Sequence, residues 1–180
     1  TRLRSGNEML VQNKEIIKQL EEVAYIDALT GINNRRWLDT NFDKVMNRCK
    51  REKSHFTVII VDIDHFKKIN DELGHDVGDS VLSSVGSFLK NYFRASDMIF
   101  RVGGEEFLIL IHDTDEIKGF DVAEKLRKEI ENLNIIPNRN VTVSIGIYGL
   151  KPNISWLEWI KYCDENMYRA KSSGRNKVIA

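Results

Sequence analysis

The sequence predicts an α+β domain: a central antiparallel sheet with flanking helices, preceded by a separate N-terminal helix. Three observations carry this. His55 to Val61 is a near-continuous apolar run, as expected of a strand buried on both faces. Arg101 to Ile111 sets strand-forming residues around Gly103-Gly104, a hairpin signal because glycine accepts the positive φ that tight turns require. Stretches with apolar residues at helical spacing separate these runs. The resulting order, β-α-β-β-α-β, is that of a ferredoxin-like sheet with its helices on one face.

In chain order, residues 1–26 read as a helix. Leu3, Leu10, Ile17 and Ala24 recur every seven residues, as do Met9, Ile16 and Val23. That is a short heptad seam, the pattern of a coiled coil; the alternative is an amphipathic helix packed on its own domain. Asp27 to Arg36 forms a hinge, broken by Gly31 and Asn33-Asn34. A helix from about Arg35 to Lys53 turns Trp37, Leu38, Phe42, Val45 and Met46 inward. The buried strand then runs into Asp62-Ile63-Asp64, and Asp64 is placed to cap the polar helix that follows. Gly74 and Gly78 bracket a turn around His75, and a helix starts at Asp79-Ser80 with Val81, Leu82, Val85, Phe88, Leu89 and Tyr92 on one face. After the hairpin of Asp97–Ile111 come a helix near Phe120–Leu133, a strand over Val141–Tyr148 and a last helix over Trp156–Lys171.

With 180 residues, 42% hydrophobic and 30% charged, the chain suits one domain, residues 27–180, behind its helix. Lys+Arg and Asp+Glu number 27 each, so no basic excess points to nucleic acid or an acidic membrane surface. No apolar run approaches the ~20 residues that span a bilayer. Thr1 opens no signal-peptide pattern, which reads as a piece cut from a longer protein. Cys49 and Cys163 have no zinc-type spacing and read as free thiols of a reducing cytoplasm.

Chemistry concentrates in acids. Glu105 and Glu106 follow the glycine pair at once, and Asp62 ends the buried strand. If strand and hairpin are neighbours, three carboxylates converge, and a divalent metal is the usual compensator. Clustered carboxylates with a nearby lysine are the apparatus of phosphoryl or nucleotidyl transfer.

Four patches, in order, resemble the diguanylate cyclases, the GGDEF-type output domains of bacterial signalling proteins: Asp27–Arg36, Asp62–Asp79, Arg94–Phe107 and Ala170–Arg175. The resemblance covers roughly residues 25–180. It implies a palm or nucleotide-cyclase-like sheet and condensation of two GTP into cyclic di-GMP. Asp62, the Ile63 carbonyl and Glu105 would hold Mg²⁺, with Mn²⁺ as a substitute. Glu105 or Glu106 would accept the proton of the attacking hydroxyl, and Lys67 would stabilise phosphate charge. Phe66, Asn70, His75, Asp79, Gly103 and Gly104 would bind the nucleotide, Asn70 and Asp79 reading guanine. Lys171 and Arg175 would contact phosphates. Arg94-Ala95-Ser96-Asp97 matches the family's RxxD inhibitory element, so Arg94 and Asp97 would bind cyclic di-GMP as an inhibitor.

The product has two identical halves and the chain one copy of the site, which calls for a homodimer; residues 1–26 would supply the stalk from an upstream sensor domain. The fragment would be cytoplasmic, alone or as the cytoplasmic part of a membrane-bound receptor, without membrane contact of its own. The rival is an inactive domain of the same type that binds GTP or cyclic di-GMP without making it. Hybrid-dinucleotide cyclases and palm-type polymerases fit less well.

Overall fold

Strand β2, Phe56–Ile63, is the centre of the sheet, and all eight of its residues are buried. Its β-branched side chains suit a pleated surface covered on both sides. Alternation sorts them: Ile59, Val61 and Ile63 enter one core with helices α4 (His75–Tyr92) and α5 (Glu116–Glu131). Val58 and Ile60 enter a second core with α2 (Arg35–Glu52) and α6 (Trp156–Ser172). The computed structural model describes residues 2–151 and 153–180.

On one side β2 pairs antiparallel with β4 (Glu106–His112), which pairs antiparallel with β3 (Met98–Arg101). On the other it pairs antiparallel with β5 (Val143–Gly149). The edges are two-residue strands, β1 (Asn33–Asn34) parallel to β3 and β6 (Val178–Ile179) parallel to β5. The order β1-β3-β4-β2-β5-β6 contains the expected ferredoxin-like four. The central sheet is antiparallel as expected, and only its two edge pairings are parallel. One expectation is corrected: helices cover both faces, as a strand without apolar-polar alternation requires.

Caps define the helices. Asn34 accepts from Trp37 N (3.1 Å) to start α2, and Asp115 from Lys118 N (2.9 Å) to start α5. Ser155 and Glu158 form a capping box on α6. Helix α3 spans Phe66–Leu73, and Gly74, at φ 91, joins it directly to α4. The second helix therefore starts at His75, not Asp79, and Gly78 lies inside it. A Cβ on Gly78 would overlap Asn70 Oδ1, so this glycine serves the close approach of two helices and not a turn.

Helix α1, Arg2–Tyr25, projects from the domain. It is tied in at its end, where Asn34 Nδ2 donates to Ala24 O (2.9 Å). Met9, Leu10, Val11, Ile16, Ile17 and Leu20 are each more than half exposed, so this stretch is not packed on its own domain. No described helix is long and apolar enough to cross a membrane.

Candidate active site

Alternation along β2 puts Asp62 on the same face as Val58 and Ile60, toward α6. Its partner across the ladder is Glu106, and Ile63 N donates to Glu105 O (3.2 Å). The two acidic motifs therefore meet, as the sequence implied. Lys171, on the last turn of α6, places Nζ 2.7 Å from Asp62 Oδ2. Asp62 is 2% exposed, and its other oxygen, Oδ1, has no hydrogen-bond partner.

Burial pushes the Asp62 carboxyl up to about 6; Lys171 opposes this, while Glu105 and Glu106 reinforce it. Glu106 is also pushed above the ordinary carboxylate range, by burial first, then Asp164 and Glu105, against Lys171 and Arg35. Among the described residues no three His, Cys, Asp or Glu side chains stand in an arrangement that could hold a metal ion. The candidate donors are hard oxygens all the same: Asp62 Oδ1, the Glu105 carboxylate and the Ile63 carbonyl. That partial shell fits Mg²⁺, which takes one or two carboxylates and completes its shell with water and substrate phosphates.

The turn bearing Gly103 and Gly104 is held from outside. Arg101 donates to Gly104 O through Nε (3.2 Å) and NH2 (2.8 Å), and through NH1 to both Asp27 oxygens (3.1 Å each). Asp27 also accepts from Thr30 N (2.9 Å) and Thr30 Oγ1 (2.6 Å). Burial acts to raise the Asp27 carboxyl, but Thr30 and Arg101 outweigh it and hold it below its usual value. The expected positive φ is absent: the left-handed glycines among the described residues are Gly31, Gly74 and Gly174. Gly103 instead leaves room for the Glu106 carboxylate, whose Oε2 lies 2.6 Å from where a Cβ would stand.

The proposed guanine readers sit on α3 and α4. Phe66 is buried, and Asn70 Oδ1 is buried without a partner against Gly78. His75 and Asp79 are exposed one turn apart on α4, and Lys67 is exposed on the first turn of α3. Arg175 is exposed in a left-handed conformation (φ 64) just past α6.

Asp64 is not a helix cap. His65 occupies that position, without a side-chain cap bond. The Asp64 carboxylate is buried and accepts from Ser144 Oγ (2.6 Å), Thr142 Oγ1 (2.8 Å) and Asn176 N (3.0 Å). It thus anchors the loop carrying Arg175 to the end of the sheet. Asn176 extends the anchor to Arg127 NH1 (2.7 Å) and Glu131 Oε1 (3.1 Å) on α5. Sequence reasoning missed this role; the available signal was the spacing of Asp62 and Asp64, which puts both on one face.

Arg94 and Asp97 lie at the far end of β3. Asp97 accepts from Arg94 N (3.0 Å) and His112 N (3.0 Å), and no ion pair joins the two side chains among the described residues. Both line a cavity of about 410 Å³ with Tyr92, His112 and Lys125.

A family model described as diguanylate cyclase, GGDEF domain, matches residues 24–177. The chain belongs to this family. The probable diguanylate cyclase DgcC of Escherichia coli is 34% identical over 164 residues, 89% of this chain and 44% of that protein. The response regulator PleD of Caulobacter vibrioides is 37% identical over 164 residues, 88% of this chain and 36% of that protein. The chain thus spans under half the length of these relatives. Among solved structures, the coiled coil and GGDEF domain of DgcB from Caulobacter crescentus, in complex with c-di-GMP, superposes with a TM-score of 0.87 at 27% identity, covering 99% of this chain and 97% of that one.

Proposed function

We propose that this GGDEF domain is an active diguanylate cyclase that condenses two GTP into cyclic di-GMP and two pyrophosphates. One observation carries the reading: Asp62 and Glu106 face each other across β2 and β4, with the Lys171 ammonium 2.7 Å from Asp62. Acids and a cation held at one sheet end suit the transfer of a nucleotidyl group from pyrophosphate to a hydroxyl oxygen.

In each half-reaction the 3′-hydroxyl of one GTP attacks the α-phosphorus of the other. A new P–O bond forms, the α–β bridge breaks, and pyrophosphate leaves. Asp62, Glu105 and the Ile63 carbonyl are the residues that would hold Mg²⁺, which when bound neutralises phosphate charge and lowers the pKa of the hydroxyl. Glu105 and Glu106 are the candidate proton acceptors, Lys67, Lys171 and Arg175 the phosphate contacts. Asn70 Oδ1, buried without a partner, is an acceptor that the guanine amino group would satisfy. Adenine would leave it unsatisfied, the basis of discrimination against ATP.

Each chain has one site, so the reaction needs two chains. The unpartnered ridges of α1, Leu10 with Ile17 and Met9 with Ile16, supply a seam through which two copies raise each other's local concentration. An upstream sensor would act through that helix, in the cytoplasm where GTP is available. Product would inhibit through Arg94, whose exposed guanidinium suits guanine, and the half-buried Asp97 beside it.

Incubation with GTP and Mg²⁺ followed by chromatography tests the reading. Cyclic di-GMP is the expected product. Binding of GTP or cyclic di-GMP with no new dinucleotide would establish the inactive binding module instead.

A further inference from the structure

We propose that Lys171 is an internal counter-cation for Asp62, released when a nucleoside triphosphate binds, so that divalent metal and nucleotide enter the site cooperatively. The inference rests on the cyclase reading for its ligands but on the ion pair itself for its mechanism.

Asp62 is the most enclosed acid of the cluster, 2% exposed, and it shares its surroundings with Glu105 and Glu106. A carboxylate in that position requires a cation in the ligand-free protein. Lys171 provides one, with Nζ 2.7 Å from Oδ2. A divalent ion about 2.1 Å from either oxygen of that carboxylate would lie within about 7 Å of the ammonium. Two cations at that distance in a buried site repel strongly, so metal alone must compete with Lys171.

The lysine is placed to move. It lies on the last turn of α6, is 28% exposed, and is followed by Ser172, Ser173 and Gly174, the last at φ 114. Its charge sits on a flexible stem, unlike the fork of an arginine. A triphosphate offers several negative oxygens against the single carboxylate of Asp62. Once the ammonium turns to the phosphates, Asp62 presents both oxygens to the metal, and the same phosphates complete the metal's shell. Each ligand then raises the affinity of the other by the same factor.

The test measures Mn²⁺ alone, by electron paramagnetic resonance of the free ion, on the full chain at pH 8.5. Lys171→Met should bind Mn²⁺ at least about 10-fold more tightly than the parent, and Lys171→Arg should match the parent. A non-hydrolysable GTP analogue should then strengthen Mn²⁺ binding less in Lys171→Met than in the parent. Equal or weaker Mn²⁺ binding by Lys171→Met would overturn the proposal, because Lys171 would then be presenting Asp62 to the ion. So would a gain that survives in Asp62→Asn/Lys171→Met, because the ion would not be on Asp62. Lys171→Gln serves if the methionine variant fails to fold. Cyclic di-GMP formation by a parent whose variants show no Mn²⁺ gain overturns the counter-cation alone; the gain without any turnover overturns the cyclase reading alone.

Discussion

Asp62 and Asp64 leave the end of β2 two residues apart, on the same face, 2% and 3% exposed. Asp64 has three donors around it, two hydroxyls and a main-chain N–H. Asp62 has one ammonium, two repelling glutamates and an oxygen with no partner. Burial penalises both carboxylates, but only one environment was built to meet the cost by itself. A buried acid whose needs are fully met by the fold serves the fold. One left partly unmet is waiting for a ligand.

The largest effect that could break this contrast is on turnover. Asp62→Asn keeps the shape and removes the charge, so it should lower the rate by about 10³-fold or more while leaving the thermal midpoint unchanged or higher. Asp64→Asn should do the opposite in kind. Swapping an acceptor for an amide N–H strands at least one of Thr142, Ser144 and Asn176 N, costing about 3 kcal/mol. For a chain of 180 residues that is a fall in midpoint of about 10 °C. A folded, fully stable Asp64→Asn, or an unstable Asp62→Asn, would show that the two acids had been assigned the wrong way round.

The next effect is a pH dependence, measured in EDTA without nucleotide. The Asp62 carboxyl titrates near 6 in the folded protein against an ordinary 3.8, so the fold favours its protonated form. That contribution is fully present below about pH 4 and is lost as pH rises through 6. Relative to Asp62→Asn, the parent should therefore lose about 2 kcal/mol of stability between pH 4 and pH 7. Urea unfolding of both proteins across that range checks it. Parallel curves would mean that Asp62 is as well satisfied as Asp64.

The contrast also marks what the sequence could reveal. The meeting of Asp62 with Glu105 and Glu106 follows from the two motifs once strand and hairpin are neighbours. Other patterns were readable outright: the apolar run of β2, the hairpin strands, and the helical faces of α2 and α4. Each depends on neighbours within a strand or a turn of helix. The partners of Asp64 do not, since Asn176 lies 112 residues away. Seen locally, an acid before a polar helix is a cap, and only the folded sheet end supplies the better donors. Gly78 misled for a related reason: its purpose is Asn70, on another helix. Strands β1 and β6 are two residues each and carry no period at all.

Asp97 is the smallest and most discriminating case. The family resemblance makes it a guanine acceptor, yet both of its oxygens already take main-chain N–H groups, from Arg94 and His112. These bonds close the Arg94–Asp97 turn and tie it to the end of β4. Asp97 is only half-buried, so water can replace much of what a substitution removes. Asp97→Asn, which keeps one acceptor and turns an N–H toward the other donor, should cost about 1 kcal/mol. That is a fall of about 3 °C in the thermal midpoint. Arg94→Ala, which removes an exposed side chain and leaves its own N–H in place, should leave the midpoint unchanged. Progress curves with added cyclic di-GMP complete the comparison. Loss of inhibition in Arg94→Ala at full stability would assign the guanidinium to the ligand, and loss in Asp97→Asn together with the midpoint shift would assign Asp97 to shaping the turn that presents it. An Asp97→Asn protein as stable as the parent would move Asp97 out of the company of Asp64 and into that of Asp62, an acid kept for a ligand.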